Sequence, residues 1–196
     1  MLIVLEGIDG SGKSSIAQLL KEELEKRKYK IWLTKEPTKG PIGRLIREFL
    51  AKGHKLNENW GRVMALLFAA DRYYHQEEIK EKIRQGYIII SDRYYHSTFA
   101  YQPNYPGTTI EWIRELHRYL EKPDYVFILD IPVELAIERM SDRKKRHMYE
   151  KKEFLEKVRY NYLRLKEILP NENIIYISND RLPEETVKEI LKILKL

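Results

Sequence analysis

One octapeptide near the start of the chain constrains the fold more than any other feature. Gly7-Ile8-Asp9-Gly10-Ser11-Gly12-Lys13-Ser14 matches G-x4-G-K-[ST] in full. It follows the apolar run Leu2–Leu5. It precedes a stretch in which Ile16, Leu19, Leu20 and Leu24 recur at i, i+3, i+4 and i+8, one face of a helix. A phosphate cradle needs strand, glycine turn and helix in that order. The glycines let backbone N–H groups approach phosphate oxygens, and the helix N-terminus presents the positive end of its dipole. All eight residues are therefore expected to bind ATP. Lys13 is suited to the β- and γ-phosphates and Ser14 to a Mg2+ ion.

The rest of the chain repeats the same alternation. Ile31–Leu33, Tyr87–Ile90, Tyr125–Leu129 and Ile174–Ile177 read as further buried strands, nearly continuous in Ile, Val, Leu and Tyr. Val187, Ile190, Leu191 and Leu194 mark another amphipathic helix. Five such strands separated by helices predict an α/β fold, a three-layer α/β/α sandwich around a five-stranded parallel sheet. A length of 196 residues suits one domain over 1–196. Two segments interrupt the rhythm: a long helical stretch from Trp60 to Arg84, and a charge-dense segment at about 141–151, expected to act as a lid.

Composition narrows the class. No apolar run approaches the roughly 18 residues of a membrane span, and no cysteine is present to build a disulfide framework or thiolate metal site. The first residues do not form a signal peptide, so a cytoplasmic setting with no membrane partner is expected. Lys plus Arg exceeds Asp plus Glu by 36 to 30, which favours an anionic partner, either nucleotides or nucleic acid. The histidines at 54, 75, 96, 117 and 147 show no metal-ligand spacing and read as surface groups or groups supporting a site.

A phosphate loop does not name a reaction. The chain lacks the N-K-x-D base reader of a GTPase, and no D-x-x-G follows a later strand. That moves weight to kinases and ATPases. The strand Tyr87–Ile90 runs into Ser91-Asp92-Arg93-Tyr94. An Asp at the carboxyl edge of a buried strand lies beside the phosphate loop in such sheets and can hold Mg2+. Arg93 follows at once, a guanidinium able to clamp phosphate.

At this point the sequence resembles the thymidylate kinases, members of the P-loop nucleoside monophosphate kinases. The matching pieces are Glu6 to Ser14, Glu36-Pro37, Ile42-Gly43, Leu67-Phe68-Ala69-Ala70-Asp71-Arg72, Asp92-Arg93-Tyr94 running on to Ala100-Tyr101-Gln102, Lys122-Pro123-Asp124, Arg139, Arg143 and Tyr149-Glu150. The resemblance implies a P-loop kinase fold, Mg2+-dependent transfer of the ATP γ-phosphoryl group to dTMP, and a homodimer. It implies that Asp9, Glu36, Pro37, Arg47, Phe68, Arg72, Arg93, Thr98, Tyr101 and Gln102 bind dTMP. Phe68 would stack on thymine, Arg72 would donate to a thymine carbonyl and Tyr101 would sit where a ribose 2′-hydroxyl clashes. Ser14 and Asp92 would hold the metal, and Lys13, Arg93, Arg139, Arg143 and Arg146 would meet the charge of the transferring group. Some members carry an arginine inside the loop; here that position is Gly10, so a lid arginine would supply the cation. Thr38-Lys39-Gly40 and His147 depart from the usual pattern. The rivals are a nucleic-acid-stimulated P-loop ATPase, which no nucleic-acid motif supports, and a kinase for another monophosphate such as dUMP or dCMP.

Overall fold

The computed structural model describes residues 1–52, 58–140 and 152–196. Strands β1 (Leu2–Glu6), β2 (Ile31–Lys35), β3 (Ile88–Asp92), β4 (Tyr125–Asp130) and β5 (Ile174–Ser178) form one parallel sheet in the order β2-β3-β1-β4-β5. The helices are α1 (Lys13–Lys26), α2 (Pro41–Lys52), α3 (Glu58–Arg84), α4 (His96–Tyr101), α5 (Ile110–Leu116), α6 (Val133–Met140), α7 (Lys152–Leu163), α8 (Leu165–Ile168) and α9 (Pro183–Leu194). The expected three-layer architecture and all five expected strands are present.

The layers follow from the period-two alternation of β1. Leu2 and Val4 join Ile89, Val126 and Ile128 in a core covered by α3, α4, α6 and α7. Ile3 and Leu5 point the other way, into a core with Ile16, Leu20 and Leu24 of α1 and Val187, Ile190 and Leu194 of α9. A strand buried on both faces must be apolar throughout, as β1 is until Glu6.

Strand ends differ from the sequence expectation in a consequential way. β2 continues two residues past Leu33 to Lys35, and β3 continues past Ile90 to Asp92. The ladder pairs Lys35 with Asp92 and Leu5 with Asp92. The crevice where chain connections leave in opposite directions therefore opens above β1, β2 and β3, with Lys35 and Asp92 in its wall. The short helices α4 and α5 were not expected; they lie between β3 and β4 in the chain and contribute Phe99, Ala100 and Ile113 to the core on the α3 side.

Of the two expectations for the histidines, surface groups or groups supporting a site, the first does not hold for three. His75, His96 and His117 are buried, each held in a polar network. His75 bridges Glu36 and Thr34 (3.1 and 2.9 Å), and His96 meets Glu172 at 2.6 Å. His117 uses Nδ1 on the Ile113 carbonyl (2.8 Å), which leaves Nε2 as an acceptor. The expected lid at 141–151, with Arg143, Arg146 and His147, and also His54, lie outside the described residues.

Candidate active site

The phosphate loop is shaped by two left-handed glycines. Gly10 has φ +86°, and a Cβ there would lie 2.4 Å from the Ala136 carbonyl oxygen on α6. Gly12 caps α1 at φ +90°, and its Cβ would meet the Asn179 amide nitrogen at 2.7 Å. Neither site has room for a side chain. This loop could not carry an arginine at position 10 without displacing α6.

Lys13 folds back over the loop, donating to the carbonyls of Gly7 (3.0 Å) and Ile8 (2.7 Å). Burial, with Arg93 nearby, pushes its ammonium pKa down to about 7. Ser14 Oγ donates to Asp92 Oδ2 at 2.5 Å. The other carboxylate oxygen, Asp92 Oδ1, is buried and has no hydrogen-bond partner among the described residues. Burial alone would raise the Asp92 pKa, but Lys13, Lys35 and Arg93 overcome it and hold the carboxyl below its usual range. A hydroxyl beside an ionised carboxylate with an orphaned oxygen is a donor set that fits Mg2+, whose other positions fall to phosphate oxygens and water.

Arg93 adopts φ +76°, an unusual conformation for a side chain with a Cβ. It turns the guanidinium away from Asp92 and onto Asp9 Oδ1 (2.5 Å), Ser97 (3.0 Å) and Tyr162 (3.1 Å). Beneath it, Glu6 accepts from the backbone of Tyr94 and Ser97 and from the hydroxyls of Ser97 and Tyr162. Burial works against the Asp9 carboxylate, yet Arg93 and Lys13 keep its pKa below normal. Tyr101 donates to Asp9 at 3.2 Å, and burial raises its phenol well above the usual pKa.

The acceptor side is organised around Arg72, fully buried on α3. Nε donates to Glu36 (2.7 Å), Nη1 to Thr98 (2.7 Å) and to the accepting His117 Nε2 (3.4 Å), and Nη2 to the Tyr94 carbonyl (2.8 Å). Four of five N–H groups are thus used among the described residues, leaving one on Nη2. The guanidinium lies 5.5 Å from the Phe68 ring centroid. Burial and the Arg72 charge push the His117 pKa down to about 3, so this imidazole stays neutral and accepting. Thr38, unusual in the sequence pattern, donates through N and Oγ1 to Asp71 (2.7 and 2.6 Å), pinning the loop after β2 to α3. Arg47 caps that loop by donating to the carbonyls of Pro37 and Thr38.

Glu36, Phe68, Arg72, Arg93 and Thr98 line one cleft of about 1500 Å3, larger than a usual single-ligand pocket, whereas Lys13, Gly10 and Gly12 are not in its wall. All ten residues expected at the acceptor line it, and so do Ser14 and Asp92. Gln102 contributes a buried amide nitrogen without a partner among the described residues. Arg139 is not in the cleft wall. It is exposed beside Gly12 and donates to the Asn179 carbonyl at 3.1 Å. Several residues escaped sequence reasoning. Lys35, Tyr162 and Asn179 carry no motif, although Lys35 adjoins Glu36-Pro37 and a longer β2 would have aligned it with Asp92. Asn179 donates to the Ser11 carbonyl at 2.6 Å and accepts from Thr186 at 2.7 Å, tying the phosphate loop to α9.

A parallel sheet of this order, with a glycine loop after β1 and a serine–aspartate pair beside it, defines a P-loop nucleotide-binding protein of the kinase type. Among solved structures, a thymidylate kinase from Candida albicans superposes with a TM-score of 0.80 at 28% identity, over 99% of this chain and 90% of that one. A probable thymidylate kinase from Thermococcus kodakarensis is 46% identical, over 92% of this chain and 91% of its own. One from Methanosphaera stadtmanae is 42% identical over the full length of both. The thymidylate kinase family model matches residues 5–190, and the chain belongs to that family.

Proposed function

We propose that this enzyme transfers the γ-phosphoryl group of ATP to dTMP, releasing ADP and dTDP. One observation carries the reading: all ten acceptor-side residues line a single cleft that meets the phosphate loop at Asp9 and Ser14 and the end of β3 at Asp92. Thymine would stack on Phe68, with the remaining N–H of Arg72 directed at a ring carbonyl and the unpartnered Gln102 amide available to the nucleotide. Tyr101 would close the space beside the sugar C2′, favouring deoxyribose.

Phosphoryl transfer asks the protein for alignment and for cations more than for covalent chemistry. Lys13 meets the β- and γ-phosphates. Arg93 and Arg47 meet the acceptor phosphate, already an anionic nucleophile, so no general base is required. Ser14 and Asp92 would hold Mg2+, which would supply positive charge to offset that of the phosphates. Arg139 and the arginines at 143 and 146 remain our candidates for the cation that reaches the transferring group.

The enzyme would work as a homodimer. Val63, Leu66 and Tyr73 on α3 are exposed at i, i+3 and i+10, an apolar stripe suited to a second copy. No helix among the described residues is long and apolar enough to cross a membrane. A cytoplasmic setting suits a nucleotide kinase.

Coupled ADP release from Mg·ATP tests the activity, with dTMP, dUMP, dCMP, dGMP and no acceptor in parallel. Strong turnover with dTMP and little without acceptor is expected. The Candida albicans relative is described as broad in substrate specificity. A missing methyl alters binding by only about 1–3 kcal/mol, so dUMP should be a weaker substrate rather than an inert one. Turnover indifferent to every monophosphate would refute the assignment.

A further inference from the structure

Lys35 is a charged side chain at the phosphate end of the cleft for which the mechanism above has no use. Its ammonium lies 2.8 Å from Asp92 Oδ2 and 3.1 Å from Ser14 Oγ, facing both proposed metal ligands at once. The placement is set by the sheet, because Lys35 and Asp92 are register partners at the carboxyl ends of β2 and β3. The two partners differ sharply in environment: the Asp92 side chain is 3% exposed and the Lys35 side chain 59%. A buried carboxylate needs a compensating cation. A long solvated lysine can provide one and can also withdraw at little expense.

We propose that Lys35 is the resident cation of the metal site: in the nucleotide-free enzyme its ammonium holds Asp92 and Ser14 in register, and it must be displaced when Mg2+ arrives with the nucleotide. The inference rests on Ser14 and Asp92 being the metal ligands. Two consequences follow. Metal binding is an exchange of one cation for another, so its apparent affinity is reduced by the fraction of molecules in which Lys35 already occupies the site. Nucleotide binding without metal is partly supported, because a positive charge is already present beside the phosphate loop. Lys35 thereby acts as a positioning residue that sets how strongly nucleotide affinity depends on metal.

The experiment is calorimetric titration of ADP into the full-length enzyme, once with Mg2+ and once with EDTA, for wild type, Lys35→Met and Asp92→Asn. The readout is the ratio of the two dissociation constants. Lys35→Met should raise that ratio about fivefold or more, from tighter binding with Mg2+ and weaker binding in EDTA, while Lys35→Arg should stay near wild type. The exposed lysine arm makes the methionine variant compatible with folding, and an unchanged melting temperature checks this. A ratio unchanged or lowered by Lys35→Met, with Asp92→Asn still abolishing the effect of Mg2+, would overturn the role of Lys35 alone. A metal effect that survives Asp92→Asn would instead overturn the metal-site reading beneath it.

Discussion

Replacing Arg72 by methionine should both destabilise the protein and damage the acceptor site. The guanidinium is 2% exposed and holds Glu36, itself 1% exposed, at 2.7 Å. Removing one partner of a buried ion pair strands the other, at about 3–5 kcal/mol. Losing the donors to Thr98 and the Tyr94 carbonyl falls within the same figure, because the three bonds act as a unit. For a chain of this length that corresponds to a fall in melting temperature of roughly 6–20 °C. Glu36→Gln keeps an acceptor for Arg72 and removes the charge. If the pair is the main term, the double variant should be less destabilised than the two singles combined, with a coupling of about 1–3 kcal/mol. Urea unfolding by linear extrapolation measures all four corners of the cycle. The remaining Nη2 proton makes a second, separable forecast: kcat/KM for dTMP should drop roughly 10–150-fold, the worth of a charged hydrogen bond. A single-variant loss below about 1 kcal/mol, or strict additivity, would refute the view that Arg72 organises this side of the cleft.

Other perturbations probe independent parts. Gly10→Ala should raise KM for ATP at least tenfold while leaving the dissociation constant of dTMP within about twofold, since its Cβ meets the Ala136 carbonyl at 2.4 Å in a conformation unfavourable to any other residue. Asn179→Ala leaves the Ser11 carbonyl unpaired; a cost of about 1–3 kcal/mol should appear in thermal unfolding and in KM for ATP, with KM for dTMP little changed. His117 carries a pKa near 3 when folded and an ordinary one when unfolded, so between about pH 6.5 and 3 the unfolded chain binds the extra proton. Its contribution to stability is complete above pH 6.5 and declines as pH falls, by up to about 1.4 kcal/mol per unit. His117→Gln should flatten the acid limb of the unfolding curve by that slope, and an unaltered limb would show that His117 is not the group responsible.

Strand content was legible in the sequence because each strand of a doubly covered parallel sheet must be apolar throughout, and the five runs are conspicuous. The phosphate loop was legible because its glycines satisfy backbone requirements that no other residue meets. Strand ends were not. Lys35 and Asp92 are polar, so hydrophobic patterning stopped short of them, although they extend the ladder. Which histidines are buried was not legible for a related reason. The partners that hold a buried imidazole need not be near it in sequence: His75 meets Thr34 and Glu36, and His117 Nε2 meets Arg72, each about 40 residues away. The residues joined to Arg93 illustrate the same limit: Asp9, Ser97 and Tyr162 converge from the phosphate loop, α4 and α7, which no local spacing encodes.

A common electrostatic pattern runs through the cleft. Each cation proposed to serve the phosphates rests on an oxygen of the protein. Lys13 lies on the Gly7 and Ile8 carbonyls, Lys35 on Asp92, Arg93 on Asp9, and Arg47 on the Pro37 and Thr38 carbonyls. Four bare cations in one partly desolvated cleft would repel one another strongly, and burial already pushes Lys13 down to about 7. Pairing each with a local oxygen holds the side chains near their working positions without nucleotide. Binding then exchanges protein oxygens for phosphate oxygens, so ground-state affinity stays modest. The gain is largest for the species with the most negative charge on those oxygens, the transferring phosphoryl group between the two nucleotides.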